Sequence, residues 1–67
     1  MYKVYLKPGK EESLKRFHPW IFSGAIARFD GEPEEGEVVE VYTSKKEFIA
    51  EGHFQIGSIA VRVLSFK

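Results

Sequence analysis

The sequence predicts a mainly β fold with one short helix: a small, strongly curved sheet or partly closed barrel. Three observations carry that expectation. Alternating apolar and polar residues recur in five short runs. Turn residues separate the runs at close spacing, as in Pro8-Gly9 and the segment Asp30 to Gly36. A chain of 67 residues with 43% apolar residues and ten aromatics supports one core, and closing the sheet hides edges that so small a domain cannot otherwise cover.

The elements follow in order. Tyr2, Val4 and Leu6 alternate with Lys3, Tyr5 and Lys7, a strand with one apolar face, ended by Pro8-Gly9. Glu11 to Phe17 reads as a helix, acids first and bases last as the helix dipole favours, with Leu14 and Phe17 on one face. Pro19 disfavours helical backbone at His18 and stops it. So short a helix must dock on a sheet. Trp20 to Phe29 reads as one strand, with Gly24 marking a bulge or a close backbone approach.

After the polar turn, Val39 and Val41 face one way, and Val38, Glu40 and Tyr42 the other. Thr43 to Glu47 forms a hairpin loop. Phe48, Ala50, Gly52 and Phe54 then alternate with Ile49, Glu51 and His53. A turn over Gln55 to Ser58 leads to a last strand where Ile59, Val61 and Val63 alternate with Ala60, Arg62 and Leu64.

Composition excludes several classes. With no cysteine there is neither a disulfide nor a thiolate metal site, and two histidines alone argue against structural zinc. Cysteine absence fits a cytoplasmic protein. No apolar run approaches a membrane span, and Lys3, Lys7 and Lys10 interrupt any signal-like segment. No serine has a nucleophile-elbow context, and neither a phosphate-binding glycine loop nor a dinucleotide fingerprint is present. Glu32, Glu34, Glu35 and Glu37 read as a solvated turn without the spacing of a calcium loop.

Net charge is zero, yet its distribution is uneven. Residues 1–28 hold six cations and two anions, residues 29–52 two cations and eight anions, and residues 53–67 two cations and no anion. If the two basic ends converge, one face is positive, as polyanion binding requires. Lys7, Lys10, Lys15, Arg16 and His18 bracket the helix and its exit and are the candidate phosphate contacts. Phe17, Trp20, Tyr5 and Tyr42 are candidate stacking surfaces for unpaired bases. The competing expectations are a solvated helix end for Lys15 and Arg16, a core position for the single tryptophan, and a structural or surface role for His53.

The block HPWIFSGAI, with LKPGKEESLKR before it and GEVVEV, IAEGHF and IAVRVL after it, resembles the N-terminal PUA domain of a methyltransferase family. Those S-adenosylmethionine-dependent enzymes make 5-methylcytosine in large-subunit ribosomal RNA. The resemblance covers roughly residues 5–65. It implies a PUA-like pseudo-barrel of about five to six short strands, spanning 1–67 as a single RNA-binding domain. It implies RNA held between the helix, its following loop and the final strands, which selects Lys10, Lys15, Arg16, His18 and, on the strand side, Arg62. It also implies a fragment or N-terminal module whose C-terminal methyltransferase domain, with the S-adenosylmethionine site, lies beyond Lys67; this chain itself is then not an enzyme and holds no cofactor or metal. The sequence departs from the family pattern at Gln55 to Ser58, where an Asn-Pro pair is usual, at Ala60, where a second basic residue is common, and after Tyr42, where a glycine is usual. The alternative expectation is a structural or homodimer-forming module without direct RNA contact.

Overall fold

The computed structural model describes residues 2–16 and 18–66, without the side chains of Ser13 and Lys15. The described residues form β1 (Tyr2–Leu6), α1 (Glu12–Lys15), β2 (Trp20–Phe22), β3 (Ile26–Asp30), β4 (Val38–Tyr42), β5 (Phe48–Phe54) and β6 (Ile59–Phe66). The six strands make one sheet in the order β2-β6-β5-β4-β1-β3, antiparallel throughout except for the parallel β1–β4 pair. It curls into a half-barrel 25 × 21 × 19 Å in extent.

The inner face follows directly from the period of two along each strand. Val4 and Leu6 of β1, Val39 and Val41 of β4, Ala50 of β5, and Val61 and Val63 of β6 are buried together with Ile21 of β2 and Leu14 of α1. Leu14 is the side chain through which the one-turn helix holds onto the sheet. Phe29 of β3 and Phe54 of β5 meet edge to face, with centroids 5.4 Å apart. Their strands are not neighbours in the sheet, so this pair spans its curvature. The acidic turn is pinned to β5 by backbone bonds: the Gly36 N–H donates to the Phe54 carbonyl and the Phe54 N–H to the Glu37 carbonyl, both 2.8 Å.

Two glycines are required by close approach. A Cβ on Gly52 would lie 2.4 Å from the Arg62 carbonyl oxygen, because the β5–β6 register shifts between Glu51 and Gly52 and the backbones close up there. A Cβ on Gly31 would meet the Tyr2 ring at 2.5 Å, and Gly31 also has φ +99°. At the β4–β5 hairpin the buried Thr43 organises the turn. Its Oγ1 accepts the N–H groups of Lys45 (3.1 Å) and Glu47 (3.2 Å), and its carbonyl accepts the Lys46 N–H (2.9 Å). Lys46 takes φ +67°, the left-handed conformation that a glycine would adopt freely.

Three expectations need correction. The strand foreseen over Trp20 to Phe29 is broken by a 3-10 turn at Ser23–Ala25 and becomes β2 and β3, which lie on opposite edges of the sheet. Gly24 lies inside that turn, and a Cβ there would meet nothing within 4 Å, so it marks neither a bulge nor a close approach. The helix is confined to Glu12–Lys15 rather than running from Glu11; Arg16 already lies in a turn, and Phe17, its foreseen end, falls outside the described residues.

Candidate nucleic-acid interface

The candidate site is assembled by β2. Ile21 points inward and is buried, so its neighbours Trp20 and Phe22 must point outward. Trp20 is 41% exposed, which overturns the expectation of a core tryptophan.

β2 is an edge strand, and its ladder with β6 fixes which backbone groups stay open. The Val63 N–H donates to the Pro19 carbonyl (2.7 Å), and the register pairs Trp20 with Arg62 and Ile21 with Val61. In an antiparallel ladder bonded and non-bonded pairs alternate, so Trp20 and Arg62 form a non-bonded pair. Their side chains stand close on the outer face, while the N–H and C=O of Trp20 point away from β6 toward the sheet edge.

At that edge lies an open groove of about 490 Å³, lined on one side by Gly9, Lys10 and Leu14 and on the other by Trp20, Ile21, Phe22, Gly24 and Ala25. Glycines 9 and 24 leave its walls low, since a Cβ at either would have no neighbour within 4 Å. The floor is apolar, from Leu14 and Ile21, and Lys10 brings a cation to the lining.

The residues selected from the sequence distribute around Trp20. Lys10 lines the groove. The His18 ring stands edge-on to the Trp20 ring, with centroids 6.0 Å apart and planes at 79°. Arg62 is the cross-strand partner of Trp20 and on its other side pairs with His53, which in turn pairs with Val38. No carboxylate occupies that cross-strand row. Lys7 sits at the groove's end, where its N–H donates to the Ala25 carbonyl (2.9 Å). Arg16 is exposed immediately after α1. Lys15 ends α1, and its side chain, like Phe17, lies outside the described residues. β1 and β6 are not neighbours in the sheet. What the sheet does bring beside β6 is β2, through the Trp20–Arg62 pair.

Tyr5 and Tyr42 lie elsewhere, stacked on each other across β1 and β4 with centroids 5.4 Å apart. The Tyr42 hydroxyl donates to Glu40 Oε1 (3.0 Å). Its pKa is raised above 10, first by desolvation and then by Glu40, whose carboxylate accepts its proton in a hydrogen bond and repels a phenolate. Among the described residues no three His, Asp or Glu side chains gather as metal ligands, and no helix is long and apolar enough to cross a membrane.

Comparison with known proteins agrees with the fold. Residues 4–66 match the family model of the PUA-like domain. The chain is 47% identical over 64 residues to ribosomal RNA large subunit methyltransferase I of Aliivibrio fischeri, covering 94% of this chain and 16% of that protein. It is 48% identical over 65 residues to the protein of the same name from Photobacterium profundum, with the same coverage of each. The chain thus spans about one sixth of the length of these curated relatives. Among solved structures, a chain in the crystal structure of the archaeal box H/ACA sRNP Nop10-Cbf5 complex superposes with a TM-score of 0.87 at 19% identity, covering 98% of this chain and 24% of that one. At that identity the match speaks to the fold alone.

Proposed function

The chain belongs to the PUA-like domain family, and on that premise we propose that it is an RNA-binding module that positions ribosomal RNA for a methyltransferase domain of the same protein. The carrying observation is the placement of the exposed Trp20 on the lip of a groove, with Lys10, His18 and Arg62 around it. An indole face offers a stacking platform for any unpaired base, and the cations Lys10 and Arg62 hold the phosphates on either side without reading sequence. Lys7, at the groove's end, and the exposed Arg16 add further cations on this side. The edge-facing N–H and C=O of Trp20 supply one donor and one acceptor to a ligand in the groove.

The transfer chemistry belongs to the partner domain. S-adenosylmethionine is the methyl donor there, in a cytoplasmic enzyme whose relatives carry the name of ribosomal RNA methyltransferases. This module contributes binding and orientation, which raise the rate by holding the target nucleotide near the reacting centre.

Titration with single-stranded and looped ribosomal RNA fragments tests the proposal. With about three phosphate contacts on a single strand, the logarithm of the affinity falls by roughly 2 for each tenfold rise in salt. No binding at low salt contradicts it.

A second reading, a packing face for another domain or a second copy, draws on Phe22 and Leu64, which are 51% and 56% exposed on the outer side of β2 and β6. Sedimentation at several concentrations, with and without RNA, separates the two: a dimer that forms in competition with RNA favours the packing face.

A further inference from the structure

On the outer face of β3, β1 and β4 a second cross-strand row runs Arg28, Tyr5, Tyr42, with Phe48 of β5 beyond. The Arg28 guanidinium lies 4.0 Å from the Tyr5 ring centroid, Tyr5 stacks on Tyr42, and Tyr42 meets Phe48 at 5.7 Å. Lys3 reaches over the Tyr42 ring at 5.4 Å. Three inter-strand gaps make this row about 14 Å long. Arg28 is exposed even though one face of its guanidinium covers Tyr5, so the other face is open. A guanidinium held over a ring in this way offers a stacking surface to a base as well as a positive charge.

The row is continuous with the groove. Lys7 joins Ala25 of the groove wall to the end of β1, two residues past Tyr5. β1 and β4 run parallel with Tyr5 beside Tyr42, so Lys7 emerges next to the hairpin that carries the exposed Lys45 and Lys46. The two cations of the otherwise acidic middle segment are thereby delivered to the basic side. Of the nearby carboxylates, Glu40 is engaged by the Tyr42 hydroxyl, whose hydrogen bond it accepts.

We propose that single-stranded RNA leaving the groove passes Lys7 and continues over this outer row, an unpaired base stacking on Arg28 and the phosphates meeting Lys45 and Lys46. The inference rests on the RNA-binding reading of the groove and extends it to a second segment of the same strand. Because the rings already stack among themselves, the row is rigid before RNA arrives, and ordering it on binding costs little.

Fluorescence anisotropy with RNAs of about 4 and about 12 nucleotides tests this. In the variant carrying Arg28→Ser with Lys45→Glu, affinity for the longer RNA falls at least about tenfold while the shorter RNA binds as before. Arg28→Lys, which keeps the charge and loses the plane, gives a smaller loss for the longer RNA only. Thermal melts of each variant verify the fold. Equal affinity of variant and wild type for the longer RNA overturns the inference and leaves the groove reading intact, provided Lys10→Glu still weakens both RNAs. If Lys10→Glu with Arg62→Glu leaves binding unchanged while the Arg28 variant loses it, the groove reading fails, and the path proposed from the groove to the row fails with it. Absence of binding by the wild-type chain at low salt overturns both.

Discussion

Trp20 and Arg62 face each other across β2 and β6 as a non-hydrogen-bonded pair, on the outer face of the sheet. This relationship ties a residue of the first third of the chain to one five positions from its end. It puts a flat ring and a permanent positive charge side by side at the edge of a groove whose far wall carries Lys10. Stacking and phosphate contact are then available to one nucleotide at once.

Trp20→Ala is expected to weaken RNA binding by about 1–3 kcal/mol, the usual range for losing one base-stacking platform. The ring is too exposed for its removal to open a core cavity, so thermal stability changes little. Anisotropy and a melting curve measure both. Trp20→Phe retains part of the affinity.

Arg62→Gln and Lys10→Gln are each expected to lower affinity for all RNA sequences alike. Each also flattens the dependence of log affinity on log salt by about 0.7, because each removes one phosphate contact on a single strand. A variant that changes sequence preference and leaves the salt slope untouched contradicts phosphate contact at that position.

The inner face of this fold was legible because strand periodicity is local. Val39 and Val41 inside with Val38, Glu40 and Tyr42 outside, and Val61 and Val63 inside with Arg62 and Leu64 outside, follow from alternation alone. The same rule would have turned Trp20 outward once Ile21 was placed inside, but a lone tryptophan in a short chain argued for the core. The break at Ser23–Ala25 was hidden because large and β-favouring residues continue through it. The groove and the Arg28–Tyr5 contact depend on which strands become neighbours. That is decided by pairings between distant segments, which no short window of sequence carries.

Gly52→Ala is expected to destabilise the domain by about 1–3 kcal/mol or more, as a methyl group is forced onto backbone atoms of Arg62 and Val63. The β5–β6 ladder holds Arg62 in position, so surviving folded protein also binds RNA less well. Denaturant unfolding, compared with Gly24→Ala as a control with open space around the added carbon, checks this.

Lys46→Gly is expected to raise stability by about 0.5–1 kcal/mol. It relieves a left-handed backbone that costs a lysine more than a glycine, partly offset by the greater freedom of glycine in the unfolded chain. A rise in the midpoint of denaturant unfolding at unchanged slope is the expected readout.

The Tyr42 hydroxyl is expected to ionise at higher pH than a free tyrosine, and Glu40→Gln brings that titration back toward 10. A folded-state pKa raised above the unfolded value contributes stability that is complete below the unfolded value and is lost as pH climbs through the folded one. The contribution of the Tyr42 hydroxyl therefore fades in alkali above about pH 10. Phenolate absorbance in the wild type and the variant follows the shift.

Trp20 is the single tryptophan of the chain, so its emission reports the groove without labelling. Titrating RNA at low salt while recording indole fluorescence and RNA anisotropy together is the most direct measurement. The account predicts quenching that saturates in step with binding and is reversed by added salt. RNA binding seen by anisotropy with the indole emission unchanged would place the bound strand away from Trp20 and contradict it.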